Sequence, residues 1–512
     1  MLLALSFPRF GHPAFSWIAL TPLLLALGRG SPGRAFALGL TTGVVYFTGT
    51  LYWITRVMVV YGGLQTWVAV LVNGLLIAYL ALFPALFALV VRRTTATFGP
   101  RALLASPLVW VATELGRTHL FSGFPWVLLG YSQAGVLPVA QLASLFGVYG
   151  VSALVAGVSA CLAAVVVGDP AQRGPSGYAF SPAPPKSGGH LWAFSARCAP
   201  LLVAVGLVAV VAGWGTRRIG NGELTRAGAR VRIGLVQGNV DQAEKWNPAR
   251  AAAIFQNYLG MTRQAIAQGA EFVLWPESSI PFHFEEDRVQ AEQVRALARE
   301  ARVPILVGSD EIDRGVPARY YNSAFLVRPD GTDAGVYRKM HLVPFGEYVP
   351  LKRVLFFAAP LVEAVSDFSA GDSAVVLPVD GHLVSTAICY EIVYPELVRR
   401  FVVAGSELLT TITNDAWFGS TSAPYQHFAQ ASMRAVENGR YLVRAANTGI
   451  SGVVDPYGRI LAESGIFEPA VLVSDARFLQ GSTFYTRTGD AIAYMSVVAT
   501  LAMLIAGRRP DA

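Results

Sequence analysis

The chain has 512 residues, of which 53% are hydrophobic and only 14% charged, with a formal net charge of +7. That is too long and too apolar for one ordinary soluble domain, and it points to a membrane protein. The basic excess does not mark a nucleic-acid surface, because no Lys/Arg stripe with interleaved aromatics occurs in the globular part of the sequence.

The apolar excess sits in the first 215 or so positions and at the C-terminus. A hydrocarbon core takes about 20 mostly apolar residues to cross. Candidate spans lie at Ala14 to Leu27, Ala35 to Thr55, Leu64 to Val91, Ala102 to Leu115, Ala140 to Val167, Cys198 to Trp214 and Ala491 to Ala506. Leu2 to Phe7 is apolar but too short, which leaves open an eighth, truncated span. The stretch Gly168 to His190 is rich in Pro, Gly and Ser and reads as a flexible connector.

One alternate set of loops holds Arg29 and Arg34, then Arg92, Arg93 and Arg101, then Arg173, Lys186 and Arg197, then Arg508 and Arg509; the other holds little beyond Arg56 and Arg117. By the positive-inside rule the first set is cytoplasmic, which puts the long segment between Trp214 and Ala491 on the outer side. The outer loop from Arg117 to Gln141, aromatic and Gly/Pro-rich, reads either as an interfacial belt or as a lipid-facing floor for a site.

From Val231 the periodicity changes. Short β-branched runs such as "VRIGLVQGN", "EFVLWPES", "VPILVGSD", "LVSTAICYE" and "ELLTTITNDAWFG" alternate with helical segments at Ala251 to Gly269 and Asp287 to Ala301, the pattern of a layered α/β domain. The expected organisation is 1–216 for the first membrane helices, 217–487 for the globular domain and 488–512 for a last membrane helix with a short tail.

Polar residues gather where strands end: Glu277 in "WPES", Cys389 in "ICYE", Asn414 and Asp415 in "TNDAWFG". Strand ends are where α/β sheets build sites. Cys389 has no disulfide partner, since Cys161 and Cys198 fall in or beside the spans. Read alone it is either a buried core thiol or a nucleophile. No His/Cys pairing typical of a protease is visible, although His341, His382 and His427 are present. Glu277, beside Trp275 and Pro276, is expected to have its pKa raised by desolvation, as suits a general base, and Lys339 offers a cation for an oxyanion. The scattered histidines show no HxxxH or CxxC spacing, so no metal is expected.

"WPESS", "YRKMHLVPFGEYVP" and "ICYE", in that order, resemble the Glu-Lys-Cys motifs of the nitrilase (carbon-nitrogen hydrolase) superfamily. Together with "TNDAWFG", "MRAVENGRYLVRAANTGISGVVDPYGR" and the flanking spans, they are similar to the bacterial apolipoprotein N-acyltransferase family over nearly the whole chain. The resemblance implies a polytopic α-helical membrane bundle carrying an αββα nitrilase-like sandwich, in the bacterial inner membrane with the catalytic domain on the periplasmic side. It implies transfer of the sn-1 acyl chain of a phospholipid, through a thioester on Cys389, to the N-terminal amine of a diacylated apolipoprotein, without a cofactor or nucleic acid. Glu277 would be the base, Lys339 the oxyanion partner, and Glu347, Tyr390, Glu391 and Trp246 supporting or substrate-binding residues. The competing expectation is a membrane-anchored amidase of the same superfamily, with water as acceptor.

Overall fold

The computed structural model describes residues 1–28, 30–167, 190–348 and 367–507, with the backbone course alone for 190–197. Arg29, the connector from Gly168 to Gly189 with Arg173 and Lys186, the side chain of Arg197, the end of the lysine motif at Val349 and Pro350, and Arg508 and Arg509 lie outside the described residues. The chain forms two compact units: Met1–Tyr52 with Leu71–Arg218 and Asp490–Ala512, and Trp53–Val70 with Ile219–Gly489.

Among the described residues, three helices are long and apolar enough to cross a membrane: Thr66–Phe98, Ala143–Val167 and Cys198–Arg226. A fourth candidate, Pro32–Leu51 with Trp53–Val60, bends by 51°. The remaining expected spans are shorter than a full crossing. Pro13–Leu27 and Ala491–Ala506 are short apolar helices. Ala102 to Leu115 divides into a 3-10 segment, Pro100–Ala105, and a helix, Ser106–His119, which carries the buried pair Glu114 and Arg117.

That pair explains the aromatic loop. Glu114 Oε1 accepts from Leu129 N at 2.7 Å, and Arg117 donates to the carbonyls of Phe124 and Trp126 at 3.1 and 2.6 Å. Trp126 to Leu129 is consequently buried inside the unit, where non-helical backbone survives because its polar groups are answered.

The second unit holds two six-stranded sheets. The first contains β1 (Ala229–Gln237), β2 (Phe272–Leu274), β3 (Ile305–Asp313), β4 (Arg319–Val327) and β5 (Asp333–Arg338); the second contains β6 (Val376–Val379), β7 (His382–Ile388), β8 (Leu408–Thr413), β9 (Leu442–Ala446), β10 (Gly452–Val454) and β11 (Ile460–Glu463). Strand β12 (Ala470–Phe478) returns to the first sheet, giving orders β12-β1-β2-β3-β4-β5 and β11-β10-β9-β8-β7-β6. The sheets meet face to face, β1 against β9 and β4 against β7, with helices on both outer faces. This is an αββα sandwich.

Local chemistry accounts for the helices. Asn247 caps Pro248–Ala267 by accepting from Ala249 N at 3.1 Å, and Pro248 occupies the first turn, where its missing N–H costs nothing. Phe255, Tyr258, Leu259, Thr262 and Ala265 recur at helical spacing and are buried, the apolar ones packing with Val273, Trp275 and Val307 of the first sheet. At about 25 cal/mol per Å² of apolar surface, such residues contribute roughly 1.5–3 kcal/mol each. In the second sheet β8 runs parallel to both neighbours and all six of its residues are buried, so Thr410 and Thr413 bond inward, Thr410 Oγ1 to Thr386 Oγ1 at 2.7 Å. The unit also includes Trp53–Val60, whose Trp53 packs edge-on to Phe418, and beyond it Tyr61, which donates to the Ala416 carbonyl at 2.8 Å.

Candidate active site

Glu277 stands three residues past β2, on a turn locked from behind. The Trp275 indole N–H donates to Thr262 Oγ1 at 2.8 Å and its ring stacks on Tyr258. Gly308 in β3 passes so close that a Cβ there would lie 2.4 Å from the Pro276 carbonyl oxygen and 2.8 Å from Glu277 Cα. Only glycine allows that approach.

Around the Glu277 carboxylate the polar groups are dense. Oε1 accepts from Asn322 Nδ2 at 2.8 Å and from Lys339 Nζ at 3.4 Å, while Oε2 accepts from Asn414 N at 2.8 Å. Lys339, one residue past β5, also donates to Glu347 Oε1 at 2.8 Å, and Asn322 reaches the same oxygen at 3.0 Å. Lys245 Nζ donates to the Glu277 carbonyl at 3.2 Å. All of these side chains are buried or nearly so.

Cys389 ends β7 with φ +53°, a left-handed conformation that costs a residue with a side chain of order 1–3 kcal/mol. Glu391 braces it. Glu391 Oε2 accepts from Ile388 N at 2.7 Å, and Oε1 accepts from Tyr337 OH, Met340 N and His341 N at 2.8, 2.7 and 3.0 Å. One carboxylate therefore ties the cysteine turn to the lysine loop. Pro395 then opens the helix Pro395–Val403.

The charges act on one another. Burial pushes the Cys389 thiol well up, Glu277 adds to that, and Lys339 pulls it down. For Glu277, burial raises the pKa, but Lys339, Lys245, Asn322 and Asn414 together outweigh it and hold the carboxyl below its ordinary value. This corrects the expectation of a raised general base: Trp275 and Pro276 desolvate the group, and the two lysines more than compensate. Burial alone would strip Lys339 of its proton, yet Glu347 and Glu277 raise it above the usual lysine range. The resting site therefore holds a carboxylate, an ammonium and a neutral thiol.

Burial pushes Glu391 up to about 7, with the Ile388 N–H, the Lys339 charge, the His341 N–H and the Tyr337 hydroxyl opposing it. A carboxyl whose folded pKa is raised contributes stability that is full below its unfolded value and is lost as pH rises through the folded one. The thermal midpoint should accordingly decline as pH rises from about 4.5 to about 7, reflecting roughly 3 kcal/mol. Melting curves of Glu391→Gln against pH should lack that component of the slope; an unchanged slope would contradict the assignment.

Of the residues expected from sequence, Glu277, Lys339, Glu347 and Cys389 come together, and Glu391 lies behind them. Tyr390 is buried among aromatic rings, 5.9 Å from His341 and 5.2 Å from Tyr394. Trp246 is 48% exposed, its ring 5.9 Å from Lys245 Nζ. Sequence reasoning missed Asn322, Lys245 and the placement of His427. Asn322 had a faint signal, a polar residue at the head of an apolar strand run. Among the described residues, no group of three or more His, Cys, Asp or Glu side chains is placed to hold a metal.

Fold and site define a carbon-nitrogen hydrolase-type enzyme carried on apolar helices. Residues 232–478 match the carbon-nitrogen hydrolase family, and residues 1–161 match the apolipoprotein N-acyltransferase N-terminal domain. The apolipoprotein N-acyltransferase of Geobacter metallireducens is 41% identical over 512 residues, covering 99% of this chain and 94% of that protein. That of Methylococcus capsulatus is 34% identical over 517 residues, covering 100% and 95%. The chain belongs to the apolipoprotein N-acyltransferase family and is an acyltransferase. Among solved structures, the amidase from Nesterenkonia sp. AN1 is similar at 23% identity and a TM-score of 0.39, covering 52% of this chain and 96% of that one.

Proposed function

We propose that this protein moves the sn-1 acyl chain of a phospholipid to the N-terminal amine of an S-diacylglyceryl-cysteine apolipoprotein, in two steps through a thioester on Cys389. The observation that carries this reading is the buried Glu277–Lys339–Glu347 cluster, which acts electrostatically on a cysteine held in a left-handed turn.

In the first step Cys389 Sγ attacks the ester carbonyl carbon while its proton passes to Glu277. Ionising the thiol beforehand would be costly, at about 1.4 kcal/mol per pKa unit, because thiol and carboxyl are shifted apart in the wrong sense. Proton transfer therefore accompanies C–S bond formation, and the charge appears on the carbonyl oxygen, where the Lys339 ammonium favours it. Collapse expels the lysophospholipid alkoxide, which takes the proton from Glu277. In the second step the lipoprotein amine attacks the thioester, Glu277 accepts its proton, and the departing thiolate takes that proton back.

The membrane helices suit such substrates, since each CH₂ exposed to water costs about 0.8 kcal/mol. Residues 1–216 and 488–512 would anchor the chain in the bacterial inner membrane and 217–487 would face the periplasm, a reading supported by Arg34, Arg92, Arg93 and Arg101 in one set of loops. Trp246 and Tyr390, the first exposed and the second bordering the cysteine, are the proposed lipid contacts.

The test is to incubate purified protein with phospholipid alone and then add a diacylated lipopeptide. Mass spectrometry should find an acyl chain on the Cys389 peptide, labile to hydroxylamine, that moves to the lipopeptide amine. Transfer with no adduct on Cys389 would refute the two-step reading.

A further inference from the structure

The structure assigns His427, set by Asp415 and Arg444, as a positioning residue for the nucleophile: its Nε2–H holds the Cys389 carbonyl and with it the left-handed turn that aims the thiol. The inference rests on Cys389 being the nucleophile, as proposed above.

The contacts are specific. His427, in the helix Ala423–Asn438, has its Nε2 3.2 Å from the Cys389 carbonyl oxygen. Its Nδ1 is 3.0 Å from both Arg444 NH2 and Asp415 Oδ1, and Arg444 NH2 also donates to Asp415 Oδ2 at 2.7 Å. All three side chains are fully buried, and Phe418 closes edge-on over the imidazole.

The partners decide the proton. The Cys389 carbonyl only accepts, so Nε2 carries the hydrogen; with the ring neutral Nδ1 is bare and accepts from Arg444, and its 3.0 Å approach to Asp415 Oδ1 is a contact shared through the Arg444 cation, not a hydrogen bond. Burial and the Arg444 charge both lower the His427 pKa, which keeps the ring neutral in that tautomer. Both nitrogens are then spent, and His427 has no free lone pair with which to serve as the base for the thiol. It works through the backbone instead.

Asp415 reaches the other end of the same residue. Its Oδ1 accepts from Thr413 Oγ1 at 2.9 Å, and the Asp415 charge also acts on the Cys389 thiol, raising its pKa. One buried Arg–Asp–His set thus acts on the cysteine at its carbonyl and at its sulfur. Such sets add little net stability over apolar packing, so geometry is the better account of why three ionisable residues lie here.

The experiment compares acylation of Cys389 by phospholipid in a single turnover, kcat and KM, and thermal midpoints. His427→Leu removes the donor and should slow acylation about 10- to 100-fold with KM within about twofold, the scale of an ångström-level misplacement. His427→Gln retains an N–H donor and should recover most of the rate at a similar midpoint. Gly449→Ala provides a route that leaves His427 intact, because a Cβ there would lie 2.3 Å from Asp415 Oδ2. It should also lower kcat and spare KM. Acylation at the wild-type rate in His427→Leu, or loss in all variants merely tracking their midpoints, would overturn the inference. Cys389→Ala separates the two claims: if it stays active the nucleophile itself is misassigned, and if it is inactive while His427→Leu acylates normally, only the positioning role fails.

Discussion

Cys389→Ala should reduce acyl transfer by at least about a thousandfold while leaving the thermal midpoint close to that of the wild type. The thiol contributes little packing, and alanine keeps a Cβ at the same left-handed position, so the turn strain is unchanged. Cys389→Ser should be almost as inactive. A serine hydroxyl gives up its proton less readily than a thiol, and Glu277, with its pKa held low, is a weak acceptor. The measurement is initial rate with a phospholipid donor and a lipopeptide acceptor, alongside melting in detergent. Activity above about a tenth of wild type would move the nucleophile elsewhere. Cys161 and Cys198, the other free thiols, lie on helices outside the sandwich.

The second large effect falls on stability as well as rate. Lys339→Met leaves Glu277 and Glu347 facing each other without the ammonium between them. Breaking a buried pair by deleting one partner costs about 3–5 kcal/mol, which at this size lowers the midpoint by about 10 °C. Activity should vanish with it. Glu277→Gln tells the two contributions apart, because Lys339 keeps its 2.8 Å bond to the Glu347 carboxylate and its ammonium is not left without a partner. That variant should lose about 10²–10⁴ in rate, the usual scale for a removed acid–base group, with only a small change in midpoint. If both variants melted like wild type, the charge cluster would not carry the energetics assigned to it.

Much of the sandwich was legible because its strands are short β-branched runs ended by Pro, Gly or polar residues. β1, β3, β7 and β8 read directly from such runs. β5, β6 and β12 did not. β5 has a single fully buried side chain, Tyr337, and it merges into the lysine loop. β12 pairs across the chain with β1, a partner more than two hundred residues away that no local pattern announces. Among the apolar helices, composition alone could not separate a full crossing from a short or broken helix. Ser106–His119 stops at 14 residues because Glu114 and Arg117 turn inward to hold a loop.

At the site, residue type made Glu277, Lys339 and Cys389 candidates, a thiol without a disulfide partner, a carboxylate at a strand end and a lysine in a loop, and the resemblance of their motifs joined them. Tertiary structure decided their protonation. Glu277 has a depressed pKa because Lys245 and Lys339, at separations of 32 and 62 residues, converge on it. It also decided that His427 meets Cys389 at the carbonyl and not at the sulfur. Sequence by itself determined which groups were present and which segments favour water or lipid, because both follow from side-chain chemistry and local periodicity. Which charges share a buried space depends on how two sheets and their helices close over one another. Electrostatic energy there varies with distance and burial, quantities that have no value until the chain is folded.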